Sequence, residues 1–181
     1  AGTGMAWVDA GWSQLELRLL AHMGGDEKML EAFRSGRDFD TVTAGQVFGV
    51  EPEQVTHEMR RRAKAVNFGI VYGISAFSLS QDIGVTVAEA KAYMDRYFAT
   101  YPGVRAYMDH VVERAKADGY VSTLMGRRRW LPELKSSNFT TRSFGERVAL
   151  NMPIQRTAAD INQRAMLRVR DRLNAEGLRG Q

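Results

Sequence analysis

Polar and apolar positions are most clearly segregated between residues 56 and 73. The first half of this stretch carries a basic cluster at 60–64, and the second half is an apolar run with aromatic residues. Thr56 is typical of a helix N-cap and Gly73 of a helix end, so the stretch predicts one long helix. Gly69 would lie inside that helix at a cost of about 1 kcal/mol relative to alanine. We therefore expect another group to approach the helix backbone closely at Gly69.

Four side chains of the predicted helix recur at intervals of four residues and form one stripe along it: Arg60, Lys64, Phe68 and Tyr72. Two cations followed by two rings suit a ligand that has phosphates at one end and a flat base at the other. The alternative is an amphipathic helix whose basic half is solvated and whose apolar half is buried. Spacing alone leaves both interpretations open.

The rest of the chain predicts an α+β fold that is mostly helical. A short buried strand is expected at 5–9, and Ser13 with Glu16 has the form of a capping box that opens a helix to residue 22. A β-hairpin is expected over 119–131. Pro153 is expected to separate two helices. The further predictions are helices over 26–33, 41–47, 76–82, 86–99, 104–117, 141–150 and 154–174, with a turn at 101–103.

Composition narrows the class of protein. A chain of 181 residues allows one or two compact units, and the absence of cysteine excludes disulfides and thiolate metal sites. The three histidines show no zinc spacing. No apolar run approaches the ~20 residues that cross a bilayer, and no secretory signal is seen, so we expect neither a membrane partner nor secretion. The formal net charge of +4 and the basic patches at 60–64 and 127–129 favour a polyanionic partner.

The pattern Arg60-x-x-x-Lys64-x-x-x-Phe68-x-x-x-Tyr72-Gly73 resembles motif B, the nucleotide-binding helix of the fingers in family A DNA polymerases. The resemblance implies that Arg60 and Lys64 are catalytic residues that hold the triphosphate, and that Lys64 protonates the departing pyrophosphate. Phe68 would pack against the sugar and Tyr72 near the templating base. The helix would close over a correctly paired nucleotide, so that binding energy assembles the site only for the right shape.

A second segment, 8–18, is similar to motif A of the same family. By that resemblance Glu16 takes the place of the gate that crowds a ribose 2′-hydroxyl, and Gln14 contacts the incoming triphosphate. The family's metal-binding aspartate falls on Gly11, which has no side chain to bind either of the two Mg²⁺ ions that the family uses. Asp9 would face the same side of a strand but lie roughly 6.6 Å away along it. Asp9 is therefore either a displaced metal ligand or a strand-end residue that makes local hydrogen bonds.

Two segments in the last third of the chain resemble the DNA-binding surface of the family. The first is the basic run of the hairpin with Arg127 and Arg128, and the second carries Arg147, Asn151 and Gln155 at intervals of four residues. In the family the second set lies along the minor groove of the primer–template duplex, where such groups sense the shape of a base pair rather than its sequence. Without the resemblance, the basic run could equally be a solvated hairpin strand.

Besides Gly11, two positions depart from the family pattern. Asp40 stands where the family has a histidine that touches the triphosphate, and it would bring negative charge near phosphates unless a cation intervenes. Arg156 stands where the family has a glycine, and it would either crowd the duplex or add a phosphate contact. The sequence also lacks motif C, the strand turn that carries a His-Asp pair and the second essential carboxylate.

The sequence as a whole predicts a fragment of a family A DNA polymerase, with a palm segment at 1–25, fingers at 26–118, and a hairpin with palm-side helices at 119–181. The implied reaction, in DNA replication and repair, transfers a nucleotide from a dNTP to the 3′-hydroxyl of a primer on a template. The chain alone is expected to be inactive and monomeric, and to come from the cytoplasm of a bacterium or from a virus. The alternative is a non-catalytic nucleic-acid-binding module derived from the same fold.

Overall fold

A computed structural model describes residues 7–178, and this part of the chain folds into eight α-helices and one two-stranded antiparallel sheet. The predicted α+β, mostly helical fold is confirmed. The strands β1 (Tyr120–Ser122) and β2 (Arg128–Trp130) pair with Val121 opposite Arg129. None of the described helices is both long enough and apolar enough to span a membrane. The helices are α1 (Leu15–Gly24), α2 (Glu27–Arg34), α3 (Phe39–Phe48), α4 (His57–Val71), α5 (Ala76–Ile83), α6 (Val87–Thr100), α7 (Pro102–Asp118) and α8 (Phe139–Ala175).

The main hydrophobic core lies between α1, α4, α6 and α8. Its fully buried side chains include Leu17 and Leu20 of α1, Ile70 of α4, Tyr97 of α6 and Ile154 of α8. Burial of one such aliphatic side chain contributes about 1.5–3 kcal/mol, so the apolar half of α4 is held firmly. A second, smaller cluster holds the hairpin against α7 and α8, and it consists of Ala115, Val121, Leu131, Leu134, Ala149 and Met152.

Helix ends follow the predicted capping at several points. The Thr56 hydroxyl accepts a hydrogen bond from the Met59 N–H at 3.2 Å, so α4 begins where expected. Thr86 and Glu89 form a capping box at the start of α6, where a helix was predicted to begin. Gly73 has a φ of +66°, a left-handed conformation that glycine adopts without steric cost, and it ends the α4 segment as predicted.

The predicted strand at 5–9 is wrong over residues 7–9, while residues 5 and 6 lie outside the described part of the chain. Trp7 and Val8 are 89% and 86% exposed, and their backbone is irregular. Within the described residues β1 and β2 pair only with each other, so this segment has no neighbouring strand to pair with. A strand with no partner leaves its backbone N–H and C=O groups unpaired, which removes the reason to form it.

The predicted capping box at the start of α1 is also wrong. The N-cap is Gln14, with a left-handed φ of 53° and no capping side chain. The Ser13 carbonyl accepts a hydrogen bond from Arg18 Nε at 2.9 Å. The Glu16 carboxylate accepts one from the Tyr72 hydroxyl at 3.2 Å. Glu16 is therefore directed towards the end of α4 instead of towards the backbone of its own helix.

Pro153 does not divide the last helical region into two helices, because α8 runs through it without a break. Proline inside a helix removes one backbone hydrogen bond and costs about 3 kcal/mol. Pro153 and its neighbours Met152 and Ile154 are all buried, so packing on both sides of the proline offsets that cost. The expected turn at 101–103 is likewise replaced by the start of α7 at Pro102, because the fixed φ of proline suits the first helical position.

Candidate nucleotide and nucleic-acid site

The stripe predicted from the spacing of α4 lies on an accessible face of that helix. Arg60, Lys64 and Tyr72 are exposed, and Phe68 is half-buried. The ammonium of Lys64 lies 5.8 Å from the centroid of the Phe68 ring, within reach of a cation–π contact. The face therefore presents cations at its first half and aromatic rings at its second half.

The first half of the stripe is in contact with two carboxylates from the start of α3. Arg60 Nε donates to Asp38 Oδ2 at 2.7 Å, and Arg60 Nη2 donates to Asp38 Oδ1 at 3.1 Å. Arg60 Nη2 also lies 3.7 Å from Asp40 Oδ2. The hydrogen bond from Arg60 is the main reason that the pKa of Asp38 is lowered to about 2. A cation was expected between Asp40 and the phosphates of a ligand, and Arg60 is the cation that lies beside Asp40.

Asp40 belongs to a buried polar network that joins α3 to α4. It is 3% exposed, and its Oδ1 accepts a hydrogen bond from Asn67 Nδ2 at 2.8 Å. The Asn67 side-chain oxygen in turn accepts from the Thr43 hydroxyl at 3.1 Å. Asn67 and Thr43 are fully buried. The sequence analysis missed Asn67, which lies seven residues (about two helical turns) after Arg60 and reaches the same carboxylate, so this spacing was the available signal.

Residues from both resembling motifs meet in one shallow cavity of about 300 Å³ between α1, α4 and α8. Gln14, Glu16 and Phe68, which are predicted nucleotide-binding residues, all line it. Tyr72 reaches the same place through its hydroxyl, which donates to Glu16. The chain therefore assembles a polar rim and an aromatic wall from segments more than fifty residues apart.

A larger cavity of about 800 Å³ opens where α4, α5 and α8 meet, and Phe68, Tyr72 and Arg147 are among its lining residues. The close approach predicted at Gly69 is found at its wall. A Cβ atom added to Gly69 would lie 2.6 Å from Cγ2 of Ile74, nearer than real Cβ atoms come to other heavy atoms. Glycine at this position therefore lets the chain after α4 fold back against the helix.

Three arginines from two elements converge on a groove of about 370 Å³ beside the end of α4. They are Arg129 of β2 and Arg147 and Arg156 of α8, and within residues 7–178 none of them forms an ion pair. No carboxylate lines the groove, so the positive charge there is not neutralised locally. The other lining residues are Tyr72, Phe144, Val148, Asn151, Met152 and Gln155. The groove suits an elongated anion.

The three basic residues of the hairpin have different surroundings. Arg127 forms an ion pair with Asp160 of α8, and Asp160 also accepts from the Thr123 hydroxyl at 2.9 Å. The guanidinium of Arg128 lies 4.7 Å from the centroid of the Tyr120 ring. Arg129 lies in the groove, although the sequence analysis did not select it as a site residue. Alternate residues of a strand face opposite sides, and this alternation was the signal that separates Arg129 from Arg128.

The described residues do not provide a metal site of the expected kind. Asp9 is exposed on an irregular segment, and within residues 7–178 no group of three or more histidine or acidic side chains is arranged to hold an ion. A Cβ atom added at Gly11 would meet nothing within 4 Å, so this position is open but supplies no ligand. Asp9 and Gly11 together therefore do not fit a Mg²⁺ ion, which prefers a compact set of oxygen ligands.

Comparison with known proteins identifies the family to which the sequence is similar. The sequence model for DNA polymerase family A matches residues 1–181. DNA polymerase I of Geobacillus stearothermophilus is 53% identical over 172 residues, which is 95% of this chain and 20% of that protein. DNA polymerase I of Mycobacterium tuberculosis is 52% identical over 167 residues, 92% of this chain and 18% of that protein.

The fold is also shared with a solved structure, the POL domain of Pol1 from M. smegmatis in complex with DNA primer-template and dNTP. The two agree with a TM-score of 0.89 at 46% sequence identity, over 93% of this chain and 30% of the solved chain. The chain thus spans only about a fifth of the length of the curated relatives that it matches. Because the match to the family covers the whole sequence, the chain belongs to DNA polymerase family A.

Proposed function

We propose that this chain forms the nucleotide-binding and primer–template-binding part of a DNA-directed DNA polymerase. The reaction is attack of a primer 3′-hydroxyl on the α-phosphate of a dNTP, with release of pyrophosphate. One observation carries the proposal: Tyr72 borders both the large cavity at the end of α4 and the arginine groove, and it also bonds to Glu16. A nucleotide held on α4 and a duplex held in the groove would therefore meet at one side chain, as template-directed synthesis requires.

The nucleotide roles follow the order of the stripe. Arg60 and Lys64 bind the triphosphate, and Lys64, which has no ion pair among the described residues, supplies a proton to the departing pyrophosphate. Phe68 packs against the sugar. Glu16 crowds the position of a ribose 2′-hydroxyl and thereby favours deoxynucleotides, while Gln14 contacts the triphosphate from the rim of the same cavity.

The duplex roles follow the lining of the groove. Arg147, Asn151 and Gln155 of α8 contact the minor groove of the primer–template, where every base pair offers acceptors to such donors. Arg128 contacts the DNA from the outer face of the hairpin. Arg127 acts through its ion pair with Asp160, which fixes the hairpin on α8 and so positions its basic residues. DNA primer-template and dNTP are also the ligands of the solved relative.

Mg²⁺ is the proposed cofactor of the complete enzyme, in which it would neutralise charge at the reacting phosphates. The residues described here do not hold it, so the isolated chain is proposed to be inactive. A chain extended through motif C should need Gly11→Asp for Mg²⁺-dependent primer extension. Robust extension without that change would show that another group replaces the missing carboxylate. The proposal also divides the chain into a palm segment at 1–25, fingers at 26–118, and a hairpin with palm-side helices at 119–181. It further includes a monomeric state and a bacterial cytoplasmic source.

A second candidate function is a nucleic-acid-binding module without catalysis. The observation that favours it is the contrast between a well-formed basic groove and the open, ligand-free position at Gly11. This function needs the duplex surface but not the α4 stripe. It therefore predicts DNA binding that does not respond to nucleotide.

The test of the duplex site is fluorescence anisotropy with a labelled primer–template across a salt series. Each phosphate contact that is lost reduces the slope of log K against log salt by about 0.9. Arg147→Ala should weaken binding and reduce that slope, whereas Arg105→Ala should not, because Arg105 lies outside the groove and pairs with Asp109. Binding that is insensitive to salt, or equal losses in both variants, would contradict the proposed surface.

A further inference from the structure

Two carboxylates compete for the one guanidinium at the phosphate end of the α4 stripe. Asp38 occupies the Nε–Nη2 edge of Arg60 through two hydrogen bonds of 2.7 and 3.1 Å. Asp40 approaches Nη2 from the buried side at 3.7 Å. Arg60 therefore faces two carboxylates with its single positive charge and offers no uncompensated charge to a ligand. An anionic ligand that approaches Arg60 must therefore overcome repulsion as well as an existing ion pair.

The two carboxylates are fixed in place, whereas Arg60 can move. Asp38 is the N-cap of α3 and accepts from the Thr41 N–H at 3.1 Å and from the Thr41 hydroxyl at 2.7 Å. Asp40 is buried and bonded to Asn67. The side chain of Arg60 is 45% exposed and lies on a flexible stem. Separation of Arg60 from Asp38 therefore needs only a rotation of the arginine side chain, without any movement of α3 against α4.

We propose that Asp38 is a positioning residue that competes with the triphosphate for Arg60, so that nucleotide uptake exchanges one anion for another. This inference rests on the proposed nucleotide site. Lys64 forms no ion pair within the described residues, so it can hold a ligand without an exchange of this kind. A triphosphate carries enough charge to displace a single exposed carboxylate, whereas a monophosphate carries much less. The exchange thus favours triphosphates and lowers the affinity for all anions at Arg60.

The test is isothermal titration calorimetry of the full 181-residue chain with inorganic tripolyphosphate and, separately, with a dNTP. Asp38→Asn removes the competing charge but keeps a side-chain oxygen that can cap α3. An exposed ion pair contributes ~0.2–1 kcal/mol, so removing this one should tighten binding by a factor of about 1.4 to 5. The matched control is Glu58→Gln, which removes a carboxylate paired with Arg61 and Arg62 on the same helix but not with the stripe.

The proposal is supported if Asp38→Asn binds tripolyphosphate more tightly than the wild type and Glu58→Gln does not. It is overturned if Asp38→Asn binds equally or more weakly. Asp40→Asn provides a second variant should the first fail to fold, since its amide oxygen can still accept from Asn67, and it should shift the affinity in the same direction. If no folded variant, including the wild type, binds tripolyphosphate or dNTP, then the proposed nucleotide site itself is refuted. Tight binding that is unchanged in both variants refutes only the competition.

Discussion

The substitution Asn67→Ala tests whether one buried amide ties α4 to α3. Asn67 is fully buried, donates to Asp40 at 2.8 Å and accepts from Thr43 at 3.1 Å. Without the amide, the Asp40 carboxylate, which is 3% exposed, and the fully buried Thr43 hydroxyl lose these partners. The nearest cation, Arg60, lies 3.7 Å from the carboxylate and also serves Asp38, so it cannot fully replace the lost bond.

The expected loss follows from the two hydrogen bonds. A bond to a charged group contributes about 1.5–3 kcal/mol, and a neutral one about 0.5–1.5 kcal/mol. We therefore expect Asn67→Ala to lower the free energy of unfolding by about 2–4 kcal/mol. In a chain of this size each kcal/mol lowers the melting temperature by ~2–4 °C, so the midpoint should fall by ~4–16 °C.

The assay is urea unfolding followed by far-UV circular dichroism, with Thr43→Val as the matched second substitution. Both bonds converge on Asn67, so Thr43→Val should cost less in the Asn67→Ala background than in the wild type. A loss below ~1 kcal/mol for Asn67→Ala would refute the reasoning, since it lies under the range for a buried bond to a charged group. An equal cost of Thr43→Val in both backgrounds would show that the two bonds are not coupled through the amide.

Three further outcomes are expected. Gly69→Ala should destabilise the chain in urea unfolding. The added methyl group overpacks against Ile74 at a cost of about 1–3 kcal/mol, which exceeds the gain of ~1 kcal/mol in helix propensity. Adding Ile74→Leu should restore the stability. Arg60→Gln should return the pKa of Asp38 from about 2 towards 3.8, measured by carboxyl NMR. The stability that Asp38 contributes in the wild type is present above pH ~4 and is lost as the pH falls towards 2, and this loss should be smaller in the variant, which keeps only the Thr41 hydrogen bonds. Arg156→Gly should reduce the salt slope of duplex binding by about 0.9 if Arg156 contacts one phosphate, and an unchanged slope would assign it no phosphate contact.

Local signals were sufficient to predict most of the helices and the stripe. Thr56, Thr86 and Gly73 act through hydrogen bonds and backbone preferences that span only a few residues, so their roles can be inferred from neighbouring sequence. The i+4 spacing of the α4 residues depends only on helix geometry. The resemblance to motif A predicted that Gln14 and Glu16 belong to the same site, and in the structure both line one cavity with Phe68.

Features that depend on distant contacts were not predicted. Pro153 is tolerated because both of its flanks are buried against other elements, which no local propensity reports. The failed capping at Glu16 has the same origin, since its partner Tyr72 lies 56 residues away. The ion pair of Arg60 with Asp38 likewise joins residues 22 positions apart. The sequence analysis treated Arg60 as a cation available to a ligand, whereas in the structure it is already paired with Asp38.

The most direct test of the central claim is anisotropy of a labelled primer–template with this chain in the presence of each dNTP in turn. The account predicts that the dNTP complementary to the template base tightens duplex binding, because α4 and the groove meet at Tyr72. Lys64→Ala should abolish that tightening and leave duplex binding without nucleotide intact. Equal binding with every dNTP by a folded sample that still binds duplex would contradict the account and favour the non-catalytic module.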